Sequence, residues 1–154
     1  WMNLVKNACF ETGTLEGWTP TDAGRARITP GNGWGNSVGG SRETQLPTGT
    51  SKHELCLGGG VDGVMQQVTG LRPETPYTLS AWVRVSDEGE RVCLGVRGHG
   101  APEAVASTSS TTWTRLVLPF KTGPQATAAL IFLRKSSDGP GQAWCDNVGL
   151  PKTP

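Results

Sequence analysis

The sequence is short of charge, of long apolar runs and of side chains that do chemistry. Charged residues make up 18% of the 154, and the formal charge is +1 with no block of like sign. No field of that kind gathers phosphates or anionic lipid, so neither nucleic acid nor membrane is expected as a partner. The longest apolar run, Ala128 to Leu133, falls far short of the ~20 residues that a membrane-spanning helix needs. Tyrosine occurs once, at Tyr77, and histidine twice, at His53 and His99. There is no His-Glu-x-x-His and no phosphate-cradling glycine loop ahead of a helix. Cys9, Cys56, Cys93 and Cys145 never stand two residues apart, which argues against a thiolate zinc site or a dithiol redox motif. An even number of cysteines in a chain of this composition leans instead towards disulfides and an oxidising compartment, with pairing left open by the sequence.

What the chain does contain is punctuation. Glycine at 22 and proline at 11 interrupt nearly every window that would support a helix. Between these breaks lie short strand-like runs at 3–11, 25–29, 53–58, 64–69, 77–86, 90–98, 103–108, 114–122, 127–136 and 143–150. Tyr77, Leu79, Ala81, Val83 and Val85 stand at every second position and share one side, as do Val92, Leu94 and Val96, and Leu116, Leu118 and Phe120. Period two over runs of this length marks strands with one core side. The fold class is therefore all-β, a two-sheet antiparallel β-sandwich, with residues 1–150 as one domain and 151–154 as a tail. Trp1 in first place suggests a piece of a longer chain. A stretch of some twenty Gly- and Thr-rich residues, 29–51, is long for a loop in a compact domain and carries Trp34 between two glycines, a candidate stacking platform.

Two acids stand near the ends of the pattern, Glu11 after Phe10 and Asp146 before Asn147. If the first and last runs adjoin, these carboxylates meet, as a buried metal clip would require. In that arrangement Cys9 and Cys145 are the favoured disulfide pair.

The segments Asn3-Leu4-Val5-Lys6-Asn7-Ala8-Cys9-Phe10-Glu11 and Leu15-Glu16-Gly17-Trp18 resemble the opening of the CenC-like carbohydrate-binding modules, families 4, 9, 16 and 22. Gln66 to Leu71, Tyr77 to Val83, Leu94-Gly95-Val96, Thr112-Trp113-Thr114 and Asp146 to Leu150 continue the resemblance in the family's order. The resemblance implies a jelly roll with a structural calcium ion, and glycan binding on one sheet or at a loop edge. It also implies calcium ligation by the carboxylates of Glu11 and Asp146 and by backbone carbonyls of the Thr50 to Lys52 stretch. Six to eight hard oxygens suit that ion.

On the jelly-roll assignment the runs starting near residues 64, 90, 103 and 127 share a sheet, and Met65, Gln67, Arg97, His99, Phe132 and Arg134 face outward from it. A sugar has an apolar C–H face and a polar rim, so an aromatic ring flanked by planar hydrogen-bonding groups suits it. Related modules often carry an aromatic near His99 or Arg134. Cationic groups in that place favour an acidic or branched glycan over a neutral, cellulose-like chain. Trp18, Trp82, Trp113 and Trp144 are expected to pack.

The expected function is that of a non-catalytic module, monomeric within a multidomain secreted protein, that binds a polysaccharide or oligosaccharide. A small jelly-roll lyase or hydrolase is the alternative, but Tyr77 has core-side parity and the histidines are far apart in sequence. A spacer without ligand is the third reading.

Overall fold

The computed structural model describes residues 2–30 and 53–152. Ten strands and no α-helix occur among the described residues: β1 (Thr19–Asp22), β2 (Arg27–Pro30), β3 (His53–Gly58), β4 (Asp62–Thr69), β5 (Pro76–Val85), β6 (Val92–Arg97), β7 (Ala104–Thr108), β8 (Thr114–Lys121), β9 (Ala128–Lys135) and β10 (Gln142–Gly149). They form two five-stranded sheets, β1-β4-β9-β6-β7 (sheet A) and β2-β3-β10-β5-β8 (sheet B). Every pairing is antiparallel. This is the expected two-sheet sandwich.

Alternation is what stacks the sheets. Leu79, Ala81, Val83 and Val85 of β5 meet Leu94 and Val96 of β6 and Ala129, Ile131 and Leu133 of β9 in one core cluster, all of them fully or almost fully buried. Each strand gives one face to this interior, and the other face of sheet A is left to solvent.

The first expected strand, 3–11, does not form. Only Asn3 pairs there, in a single bridge to Pro151. Asn7 and Phe10 take positive φ (48° and 56°), and the Asn7 amide donates to the carbonyls of Thr14 and Glu16, so the segment turns back on itself. The result is a wrap that drives Phe10 into the core, 5.5 Å from Trp18 between ring centroids. Asn3 ties this wrap to β10, donating to Val148 O (2.8 Å) and accepting from Leu150 N–H (2.9 Å). Gln66 ties it to sheet A by accepting from Lys6 N–H and donating to Lys6 O. The N-terminal wrap and the last strand are thus neighbours.

Strand β1 was not anticipated, because Thr19-Pro20-Thr21-Asp22 carries no alternating signal. It pairs only with β4, at the sheet edge, where proline is tolerated.

At one margin of sheet A the inward parity of β9 ends on a cation. Lys135 is fully buried; its ammonium donates to the carbonyls of Gly60, Ser137 and Gly139 and meets Glu90 Oε1 at 2.8 Å. Glu90 accepts in addition from the Ser137 hydroxyl and the Gly141 N–H. Those contacts, led by the hydrogen bond from Lys135, hold its carboxyl below the usual carboxylate range. The hollow needs glycine: a Cβ at Gly139 or Gly141 would sit 2.6 or 2.5 Å from Glu90 Oε2.

The disulfide expectation is corrected. All four cysteines are free. Cys145 points into the core, whereas Cys9 lies on the wrap and donates to Asn147 Oδ1, so the favoured pair does not face itself. Cys56 belongs to sheet B and Cys93 to sheet A.

Candidate functional site

The registers of sheet A line up one row of side chains across all five strands. Thr19 lies opposite Met65, Met65 opposite Phe132, Phe132 opposite Gly95, and Gly95 opposite Val105. The row runs perpendicular to the strands on the outer face, roughly 19 Å from end to end for four strand spacings of about 4.8 Å. Its middle is an aromatic floor. A Cβ built on Gly95 would overlap Cζ, Cε1 and Cε2 of Phe132 together, closest to Cζ and nearly equally from the other two. That pattern puts the face of the ring, rather than its edge, over the glycine. Phe132 therefore lies flat along the sheet because β6 offers no side chain beneath it. Val105, 48% exposed, extends the apolar strip.

Polar rows flank this strip. On one side Gln67, Leu130 and Arg97 are in register, with Glu103 beyond Arg97 (Arg97 Nη1 to Glu103 Oε1 3.9 Å). The Arg97 guanidinium also lies 5.5 Å from the centre of the Phe132 ring. On the other side Thr21, Gly63, Arg134, Cys93 and Ser107 are in register. Arg134 meets Asp22 through two of its three guanidinium nitrogens, Nε to Oδ2 at 3.2 Å and Nη2 to Oδ1 at 3.3 Å. This fork holds the Asp22 carboxyl below its ordinary range and raises Arg134 further. Thr21, Asp22, Met65, Arg97, Glu103, Phe132 and Arg134 enclose a cleft of about 270 Å³.

Of the expected outward-facing residues, the structure brings Met65, Arg97, Phe132 and Arg134 together in that cleft, and leaves Gln67 exposed in the adjoining row. His99 is a correction. It is 1% exposed and packs edge-on against Phe120 at 5.2 Å, because positive φ at Gly98 and Gly100 breaks the parity running through Cys93, Gly95 and Arg97. Trp34, Thr50 and Lys52 lie outside the described residues. A wider depression of about 500 Å³ at Gly98, Gly100, Pro124, Gln125 and Ala126 has no aromatic lining, which favours the sheet over this loop edge. Thr21, Asp22, Glu103 and Val105 were missed. The alternation of Glu103, Val105 and Ser107 could have revealed the last two; Asp22 had no such signal without β1.

Glu11 and Asp146 occupy one corner. Both charges bear on the Cys9 thiol, which burial first and then Asp146 and Glu11 push up to about 11. Glu11 accepts from His53 N–H at 2.8 Å, and the fully buried Asp146 accepts from Asn147 N–H at 2.8 Å. No cluster of three His, Cys, Asp or Glu side chains suited to a metal occurs among the described residues. Any cation here would lean on backbone oxygens as well.

On sheet B the tryptophans pack. Trp82 and Trp113 are buried together with Trp144 against them, and the Arg84 guanidinium lies 3.9 Å from the Trp144 ring centre. Trp18 belongs to the main core.

A flat ring, apolar neighbours and forked polar side chains on one open sheet make a surface that suits a sugar. The model of the Carbohydrate binding domain, from the CBM 4 and 9 group, matches residues 2–139. The chain belongs to this family. As a carbohydrate-binding module it is a binding domain rather than a catalytic one. It is 28% identical over 136 residues, 88% of the module, to a keratan-sulfate endo-1,4-beta-galactosidase from Sphingobacterium multivorum. It is 27% identical over 149 residues, 96% of the module, to Exochitinase 1 from Streptomyces olivaceoviridis. The module spans only 28% and 21% of the lengths of these two relatives. In fold it is similar to a CBM61 module solved with β-1,4-galactotriose, at a TM-score of 0.73 and 17% identity, covering 99% of this chain and all of that one.

Proposed function

We propose that the outer face of sheet A is the glycan-binding face of this module, and that a polysaccharide lies along the row from Thr19 to Val105, across the strands. The observation that carries this is the Phe132 ring laid flat over Gly95 within a strip bordered by hydrogen-bonding side chains. A pyranose stacks its C–H face on Phe132, while Arg97, Arg134, Gln67 and the acids Asp22 and Glu103 reach its hydroxyls. The names of the two relatives support a parent that is a glycoside hydrolase. In this reading the module is a monomeric part of a secreted chain and acts outside the cell. Tyr77 is buried and its hydroxyl accepts from Arg72 N–H, which speaks against the lyase alternative.

A structural calcium at the Glu11 and Asp146 corner belongs to the same reading. Glu11 and the fully buried Asp146 both bear on Cys9 and would supply hard oxygen donors, and such an ion would fasten the wrap to β10. Affinity electrophoresis through gels containing different polysaccharides tests the binding face. Phe132→Ala is expected to abolish retention with little change in melting temperature; retention equal to that of the unaltered module would remove Phe132 from the site.

A further inference from the structure

The charges lining the cleft cancel in pairs. Arg134 is gripped at two points by Asp22, and Arg97 stands 3.9 Å from Glu103. Among the described residues that line the cleft there are no other charged groups, so two cations face two anions. At Arg134 a carboxylate or sulfate would have to break an Arg–carboxylate fork and would then meet the displaced acid as a like charge, and at Arg97 it would enter beside the Glu103 carboxylate. A hydroxyl meets no such penalty. It can accept from an arginine N–H and donate to a carboxylate oxygen, which is what each pair offers at its solvent edge.

We infer that the module selects uncharged glycans, and that Asp22 and Glu103 set this selectivity by neutralising the arginines that would otherwise attract acidic ones. The inference rests on sheet A being the binding face. It reverses the preference for acidic sugars that the arginines suggest in the sequence, where neither partner acid is visible as one. Asp22 is the stronger determinant because its pairing is bidentate. It stands at φ 58°, a conformation that asparagine also accepts, so Asp22→Asn keeps shape and backbone while releasing Arg134.

The test is affinity electrophoresis of the module, Phe132→Ala, Asp22→Asn and the Asp22→Asn/Glu103→Gln pair. The gels contain neutral polymers (β-1,4-galactan, xylan, mixed β-glucan) or anionic ones (polygalacturonate, keratan sulfate). The unaltered module is expected to be retained by at least one neutral polymer and by neither anionic one. Releasing the arginines is expected to raise retention on polygalacturonate about tenfold to a hundredfold at low salt, the gain of roughly one charge-assisted hydrogen bond. That gain should vanish near 1 M salt, where screening acts within about 3 Å. If the unaltered module binds an anionic polymer in a salt-sensitive way and loses it in Phe132→Ala, the face stands and the selectivity rule falls. Variants with unchanged preferences also overturn the rule. Absence of retention on every polymer overturns the binding face along with it. Should the double variant melt earlier, Glu103→Gln alone carries the test, since its side chain is 51% exposed.

Discussion

Replacing Lys135 by methionine keeps most of the length and volume of the side chain but removes the ammonium. Three backbone carbonyls, of Gly60, Ser137 and Gly139, then lose their donor, and Glu90 loses its counter-charge while 4% exposed. Breaking one partner of a buried pair costs about 3–5 kcal/mol, because the remaining charge stays desolvated. For a domain of this size each kcal/mol moves the midpoint by about 2–4 °C, so the variant should melt roughly 6–20 °C lower. Differential scanning calorimetry at pH 7 reads this directly. The same site fixes the acid limit of the fold. The Glu90 carboxyl is depressed in the folded state, chiefly by Lys135, so its contribution is present above its ordinary pKa and is lost as pH falls through the lower folded value. The unaltered module should therefore lose stability on acidification below the ordinary carboxylate range, and Lys135→Met should lose less over that interval. A midpoint within about 2 °C of the parent at pH 7 would refute the reasoning, since no counted loss near 3 kcal/mol allows so small a shift.

Gly95→Ala should weaken glycan retention roughly tenfold without touching any group that meets the sugar, because the new methyl lifts the Phe132 ring from the sheet; affinity electrophoresis beside Phe132→Ala checks this, a clear but smaller loss than in Phe132→Ala is the expected result, and unchanged retention would refute it. Thiol titration in denaturant should count four free cysteines, while the native module at pH 8 should react slowly, since burial and two neighbouring acids hold the Cys9 thiol near a pKa of about 11. Fewer than four reactive thiols would restore a disulfide. If calcium sits at the Glu11 and Asp146 corner, EDTA should lower the melting temperature and added calcium should restore it, with Asp146→Asn insensitive to both; an unchanged midpoint in EDTA removes the ion.

Most strands were readable because their residues obey one rule at a time. Leu79 to Val85 and Leu116 to Phe120 keep an aliphatic or aromatic core residue at every second position, and each strand formed within about two residues of its expected bounds. The failures have local causes. The segment before Glu11 looks like a strand in composition, yet the side chains of Asn3 and Asn7 take over the backbone's hydrogen bonding and bend it into a wrap. In the candidate site, Met65, Phe132 and Arg134 were legible from parity alone. His99 was misplaced because two glycines reset the parity, and Asp22 was invisible because its partner is 112 positions away along the chain. Sequence spacing states which way a side chain leaves its strand; it does not state which opposite charge waits across the sheet.

The strip from Thr19 to Val105 steps over five strands, and neighbouring strands in a sheet are rotated by roughly 20–25° about the direction of that step. Over four steps the outward normals fan through something like 80–100°, as on a spiral stair. A rigid planar lattice of packed chains laid on such a surface would rest on one tread and lift from the others. A lone strand of sugars, free to turn about its linkages, can follow every step, so the geometry suits dissolved or loosened polymer better than the flat facets of a crystal.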